Sequence, residues 1–146
     1  GANMGSELCQ AIAENNCAHS IMSFNICYKD TGLLGVYAVA EPAQMQDLAF
    51  FTLENMVRLC HRTSEEEVAR ARTQLKATML AHLDGSSNVC EDIGRQILTY
   101  GRRISPAELF ARIDAVDAAQ IKATANTFIN DQDLACAAVG PVYELP

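Results

Sequence analysis

Over the first fifteen positions, apolar residues recur every three or four places. Met4, Leu8, Ala11 and Ile12 fall on one face of a helix expected over residues 4–15. The period then drops to two. In SIMSFNICY, Met22, Phe24, Ile26 and Tyr28 alternate with Ile21, Ser23, Asn25 and Cys27, the mark of a strand with one strongly apolar face. KDTG supplies the Asp and Gly of a turn, and LLGVYAVA returns as a second strand. Residues 20–40 therefore predict a β-hairpin.

Helical spacing resumes after Pro42, which suits a first helical turn. Met45, Leu48, Ala49, Thr52, Leu53, Met56 and Cys60 make one long stripe. Ser64 followed by Glu67 is a capping box, and Val68, Leu75 and Met79 carry the next stripe to about His82. Asp84-Gly85 ends that helix. Residues 88–101 form another, with Val89, Ile93, Ile97 and Tyr100 inward. SPAE, from Ser105, opens a helix with Leu109, Phe110 and Ile113 on its buried side. Asp117 caps a last helix, with Ile121, Ala125 and Phe128 buried. LACAAVG, residues 134–140, reads as a short apolar strand ended by Pro141.

Helices cluster and strands pair in this order. The fold class is α+β, with helices packed on one face of a mainly antiparallel sheet. Three strands with such apolar surfaces leave an exposed edge, so further strands are expected from outside these residues or from a partner chain. There is no internal repeat, linker or low-complexity segment, and the 146 residues suit one domain or part of one.

Composition narrows the function. Apolar residues at 49 % permit a real core, and the net charge is −7. Nucleic acid is not an expected partner, because binding it requires a basic face. Acidity serves solubility and also attracts basic partners such as a positively charged peptide. The six cysteines form no C-x-x-C and fall at irregular gaps, so they read as buried free thiols of a reducing compartment. No apolar run approaches the ~20 residues of a membrane span, and no signal or transit peptide is evident.

Local chemistry is sparse. His19, His61 and His82 form neither H-E-x-x-H nor the inverted H-x-x-E-H, so no zinc motif is present. His61 reads as a helix C-terminal residue facing the negative dipole end. No cysteine lies in a basic, glycine-framed turn that would activate a thiolate. GLLG lacks phosphate-loop spacing. Arg70, Arg72 and Lys76 read as a solvated helix face, with Glu66 one turn before Arg70. Glu91 and Asp92 sit in the first turns of their helix, where carboxylates favour the dipole, and Arg95 can pair with Glu91. Gly94 lies mid-helix at a cost of ~1 kcal/mol relative to Ala, which predicts close approach of another backbone.

LDGSSNVCEDIGRQILTYGRRI, SFNICYKDTGLLGVYAV, SEEEVARARTQLKATMLAHLDG, ELFARIDAVDA and AAVGPVYELP together resemble one branch of the M16 (pitrilysin-like) metallopeptidase family. That branch holds the β subunits of mitochondrial processing peptidases and the core 1 subunits of cytochrome bc1 complexes. The resemblance runs unbroken over essentially all 146 residues.

It implies a parent of two homologous α+β halves. The first binds zinc through H-x-x-E-H, and the second is a degenerate copy that closes the chamber. Residues 1–146 would be a single partial domain, the C-terminal two-thirds of the second half. This part would bind no cofactor, the zinc lying in the N-terminal half. The implied partners are an α subunit and basic presequence peptides, with respiratory complex III for a core 1 scaffold. The implied location is the mitochondrion, in the matrix or on the matrix side of the inner membrane.

One departure matters. Many M16 relatives carry an Arg and a Tyr in R-E-x-R-G-L-A-Y before the hairpin. Here the matching stretch is AENNCAHS, with His19 about where the Tyr would be and no Arg. No catalytic residue is carried over. Phe24, Asn25 and Tyr28 of the hairpin are the substrate-contact candidates, with core packing the simpler use of the two aromatics. EVARARTQLK lies nearer the peptidase pattern than the scaffold one, and a free-standing helix-rich interaction domain is the alternative that physics alone allows.

Overall fold

The computed structural model describes residues 5–142. They divide into two compact units. Among the described residues, one comprises 5–62 with 122–142, the other 63–121.

In the first unit, helix α1 runs Glu7–Asn15. Ser6 Oγ accepts from the Cys9 amide at 3.3 Å, and Asn16 closes the helix in the left-handed conformation at φ 53°. Met4 lies outside the described residues. Strands β1 (Ser20–Cys27) and β2 (Gly32–Val39) pair antiparallel. The Tyr28 amide donates to Thr31 O at 2.9 Å to close the turn. Phe24 lies opposite Gly35, and its ring occupies the space a side chain would need. A Cβ on Gly35 would sit 2.5 Å from Phe24 Cζ.

A 3-10 turn at Pro42–Gln44 leads into α2, Met45–His61, whose buried residues are Leu48 and Cys60. Helix α1 packs on α2 around the buried Ile12, and Glu7 pairs with Arg58. Helix α6 spans Ala118–Phe128, and its residues from 122 onward belong to this unit. There Ala125 is buried, and Asn126 Nδ2 donates to Cys60 O at 3.0 Å.

Two expectations fail in this unit. Phe128 is exposed. Residues 134–140 form no strand but an irregular, exposed segment. Their apolar composition permits a strand, yet a strand needs a neighbour to take its amides and carbonyls, and the sheet here has only β1 and β2 among the described residues.

The second unit begins at α3, Glu65–His82, with the full capping box. Ser64 Oγ accepts from the Glu67 amide at 3.3 Å, while Glu67 Oε2 accepts from the Ser64 amide at 2.9 Å. Helix α4 is Ser86–Tyr100, stopped by Gly101 at φ 70°. Helix α5 is Pro106–Asp114, capped by Ser105 Oγ, which accepts from the Glu108 amide at 3.2 Å. Asp117 Oδ1 accepts from the Gln120 amide at 2.7 Å at the start of α6. Helix α5 packs on α3, with Lys76 Nζ 2.6 Å from Asp114 Oδ1. Arg72 pairs with Glu65. The expected solvated face of α3 is therefore half-buried at Arg72 and Lys76, while Leu75 is exposed.

Helix α4 also differs from its reading. Ile97 and Tyr100, expected inward, are exposed, and the buried position is Gln96. A methyl group on Gly94 would meet nothing within 4 Å, so no neighbouring backbone approaches it among the described residues. With that reason for the glycine gone, Gly94→Ala is expected to raise stability by about 0.5–1 kcal/mol, read as a higher urea midpoint.

Candidate functional site

The register of the hairpin decides which substrate-contact candidates share a face. Opposite residues point the same way, so Met22, Phe24 and Ile26 lie with Tyr37, Gly35 and Leu33. Tyr28 continues that side. Asn25 points to the other face, beside Leu34, and its Oδ1 accepts from Cys27 Sγ at 3.8 Å. The structure thus brings Phe24 and Tyr28 to one side and separates Asn25 from them. The Met22 face is uncovered, with Met22 56 % and Tyr37 58 % exposed. On the opposite face, Ile21, Val36 and Ala38 are half-buried. The more apolar side of the sheet is therefore the one without a cover among the described residues.

The usual chemical groups do not assemble. His19 Nε2 lies 3.5 Å from Glu41 Oε1, both largely exposed, an arrangement worth little in water. His61 ends α2, as the dipole reading expected, and His82 ends α3. No group of three or more His, Cys, Asp or Glu able to hold a metal exists among the described residues. The six cysteines are free, but only Cys17 and Cys60 are buried; Cys27, Cys90 and Cys136 are exposed, against the reading of buried thiols. Burial pushes the Cys17 thiol up, and the Asp47 carboxylate adds to this, so it stays protonated and unreactive. Glu91 pairs with Arg95 at 2.5 Å as expected of a helix face. No helix of the described residues is long and apolar enough to cross a membrane.

One half-open site was missed from the sequence. A cavity of about 260 Å³ opens in the second unit, walled by Met79, Leu83, Ile104, Leu109 and Phe110. Its polar lining includes His82, Asp92, Gln96 and Arg103. Gln96 Nε2 donates to Asp92 Oδ2 at 2.9 Å, and its Oε1 accepts from the Ile104 amide at 2.7 Å. Helical spacing held the signal, since Gln96 follows Val89 and Ile93 on one stripe of α4, where a polar residue is easily passed over.

Beside it, Arg102 grips Glu108 with both guanidinium nitrogens, at 2.9 and 2.6 Å, and Arg112 adds a third bond at 2.8 Å. The Arg102 hydrogen bond leads in holding the Glu108 carboxyl down to about 2, with Arg112 assisting against some desolvation. A depressed carboxyl stabilises the fold above the unfolded value, and that contribution disappears as pH falls from about 4.5 towards about 2. Carbon-detected NMR should place the Glu108 midpoint near 2, and Arg102→Gln should move it upward.

Residues 1–75 match the family model described as the Peptidase M16 inactive domain. That is just over half of the chain, and the chain belongs to the M16 peptidase family. Its relatives are more particular. Over 146 residues, the whole chain, it is 54 % identical to the "Probable mitochondrial-processing peptidase subunit beta, mitochondrial" of Arabidopsis thaliana, covering 28 % of that protein. It is 49 % identical over its full length to the mitochondrial-processing peptidase subunit beta of Bos taurus, covering 30 % of it. Among solved structures, a chain of complex III2 from Candida albicans, with Inz-5 bound, superposes with a TM-score of 0.80. The two are 33 % identical, and the match covers 86 % of this chain and 31 % of that one. The M16 resemblance and the α+β class read from the sequence are thereby shown. The chain spans less than a third of the length of these relatives.

Proposed function

We infer that this chain is the C-terminal part of the β subunit of a mitochondrial processing peptidase, a zinc metalloendopeptidase that removes presequences from imported precursors. The observation that carries this reading is 54 % identity maintained over the whole chain to a protein named as that subunit. In this reading residues 1–146 are a single partial domain, two-thirds of the second, non-catalytic half. It closes the chamber, supports folding and contacts the α subunit. The zinc belongs to the N-terminal half, and this part binds none. The enzyme works in the mitochondrion, in the matrix or on the matrix side of the inner membrane.

The uncovered apolar face of the hairpin supports the incomplete sheet, because a two-stranded ribbon is marginal alone and gains from further strands or a cover. The net charge of −7 suits attraction of basic presequences. Phe24, Asn25 and Tyr28 are the substrate-contact candidates. Since Phe24 and Tyr28 share a face and Asn25 does not, an extended peptide would meet the aromatics or the amide, not all three from one side. The alternative is a core 1 scaffold of respiratory complex III, whose support is the fold similarity to a complex III chain. The β-subunit names of the full-length relatives favour the peptidase.

The test is the intact mass of the native polypeptide, with peptide mapping upstream of Gly1. A chain of 146 residues is 28 % of the Arabidopsis relative, so a polypeptide more than three times as long, carrying H-x-x-E-H, is expected. A long polypeptide with that motif eroded would favour the scaffold, and a native mass of 15.9 kDa would defeat both readings. The chain alone should cleave no presequence peptide, and zinc-dependent cleavage by it would contradict the assignment.

A further inference from the structure

Between α3 and α4 the backbone hydrogen bonding has a gap. The Leu83 amide donates to Met79 O at 3.1 Å at the end of α3, and the Val89 amide donates to Gly85 O at 3.0 Å at the start of α4. Asp84 and the Gly85 amide fall between the two. That amide donates to no acceptor among the described residues. Asp84 is exposed, and its carboxyl has no hydrogen bond or ion pair among those residues.

The other aspartates differ in neighbour or in engagement. Asp92 accepts from Gln96, Asp114 pairs with Lys76, and Asp117 accepts from the Gln120 amide. Each aspartate except Asp84 is followed by a residue that carries a Cβ, and no asparagine precedes a glycine. Position 84 alone joins an unengaged carboxyl to a free amide with no side chain beside it.

We propose that Asp84-Gly85 is a site of spontaneous aspartate isomerisation, and that the aged chain is a substrate for methyl transfer to the carboxyl this exposes. The Gly85 nitrogen attacks Asp84 Cγ in its protonated carboxyl form. A C–N bond forms, and the amide hydrogen leaves with the carboxyl hydroxyl as water, closing a five-membered succinimide. Water then adds at the former main-chain carbonyl of Asp84 and breaks its bond to the Gly85 nitrogen. The chain now runs through Cβ and Cγ, the α-carboxylate is free, and the mass is unchanged. No oxidant or second reactant enters. The extra carbon–carbon bond lengthens the main chain by about 1.5 Å. It falls inside the turn that Asn88 Nδ2 closes by donating to His82 O at 2.8 Å, so the isomerised chain should lose that bond. The proposal is independent of the peptidase assignment.

The test holds the purified chain at neutral pH and body temperature for several weeks. Samples are then labelled with an isoaspartate-specific methyltransferase and tritiated S-adenosylmethionine. Electron-transfer fragmentation, which splits isoaspartate between Cα and Cβ, locates the modified residue. Label should grow with time and lie at position 84. Gly85→Ala should lose nearly all of it while keeping the parent's far-UV circular dichroism. Its backbone, at φ −103°, suits any residue, and the added methyl would lie 3.5 Å from Asn88 Nδ2, an ordinary contact. Asp84→Glu keeps the charge but must close a six-membered ring, and should also lose the label. Three outcomes would overturn the proposal: a folded chain that gains no label, label confined to other positions, or equal labelling of the parent and Gly85→Ala.

Discussion

Gln96→Leu should lower the stability of the second unit by about 1–3 kcal/mol, although it places an apolar residue of similar size at a buried position. Gln96 Oε1 is the acceptor for the Ile104 amide, a buried position between α4 and α5. Leucine removes the acceptor and leaves the donor, which then has neither protein nor bulk water to satisfy it. The loss should appear as a lower urea midpoint followed by far-UV circular dichroism. Gln96→Glu separates this cause from lost packing. The acceptor is kept, but two carboxylates now stand one helical turn apart at positions 92 and 96. Like charge raises the carboxyl values in the folded chain, so Gln96→Glu should be destabilised at neutral pH and recover as pH falls. A leucine variant as stable as the parent would remove Gln96 as the tie between the two helices.

The second large effect is expected at the hairpin. Gly35→Val should cost about 1–3 kcal/mol and displace the Phe24 ring. Any Cβ at Gly35 enters the space of that ring. The ring can swing away, but it then exchanges the covered strand surface for solvent and exposes more of an already apolar face. The Phe24–Gly35 pair is an aromatic laid over a glycine, a device that also pins strand register. Two single variants, Phe24→Ala and Gly35→Ala, combined in a double-mutant cycle, should give a clearly non-additive result. Once Phe24 is alanine, a methyl at position 35 has room, and additive losses would show that the ring does not depend on the glycine.

What the sequence revealed divides by range. The caps at Ser64, Ser105 and Asp117 were legible because a cap is a contact over three residues, and each forms as expected. The hairpin was legible because alternation and a short turn are equally local. Failures came where an outcome needs something remote. The apolar run at 134–140 has the composition of a strand and lacks a strand beside it. Periodicity identified Ile97, Tyr100 and Phe128 as apolar stripe positions, yet it cannot say whether anything covers the stripe. Gln96 was lost for the converse reason, since its burial follows from the Ile104 amide eight residues on. Of the substrate-contact candidates, the pattern supplied the residues, while the register alone showed that Asn25 parts from Phe24 and Tyr28.

The division of the chain also sets an order of events during synthesis. Residues 63–121 are one uninterrupted stretch, and the packing of α5 on α3 is completed within it. The other unit draws on two stretches, and its Asn126–Cys60 hydrogen bond joins residues 66 apart in the chain. A ribosome delivers residues from the N-terminus at about 5–20 per second. The earlier stretch, up to residue 62, therefore emerges first, but its Cys60 carbonyl must wait for Asn126. The later-starting unit can thus be complete while the earlier-starting one still lacks its last helix.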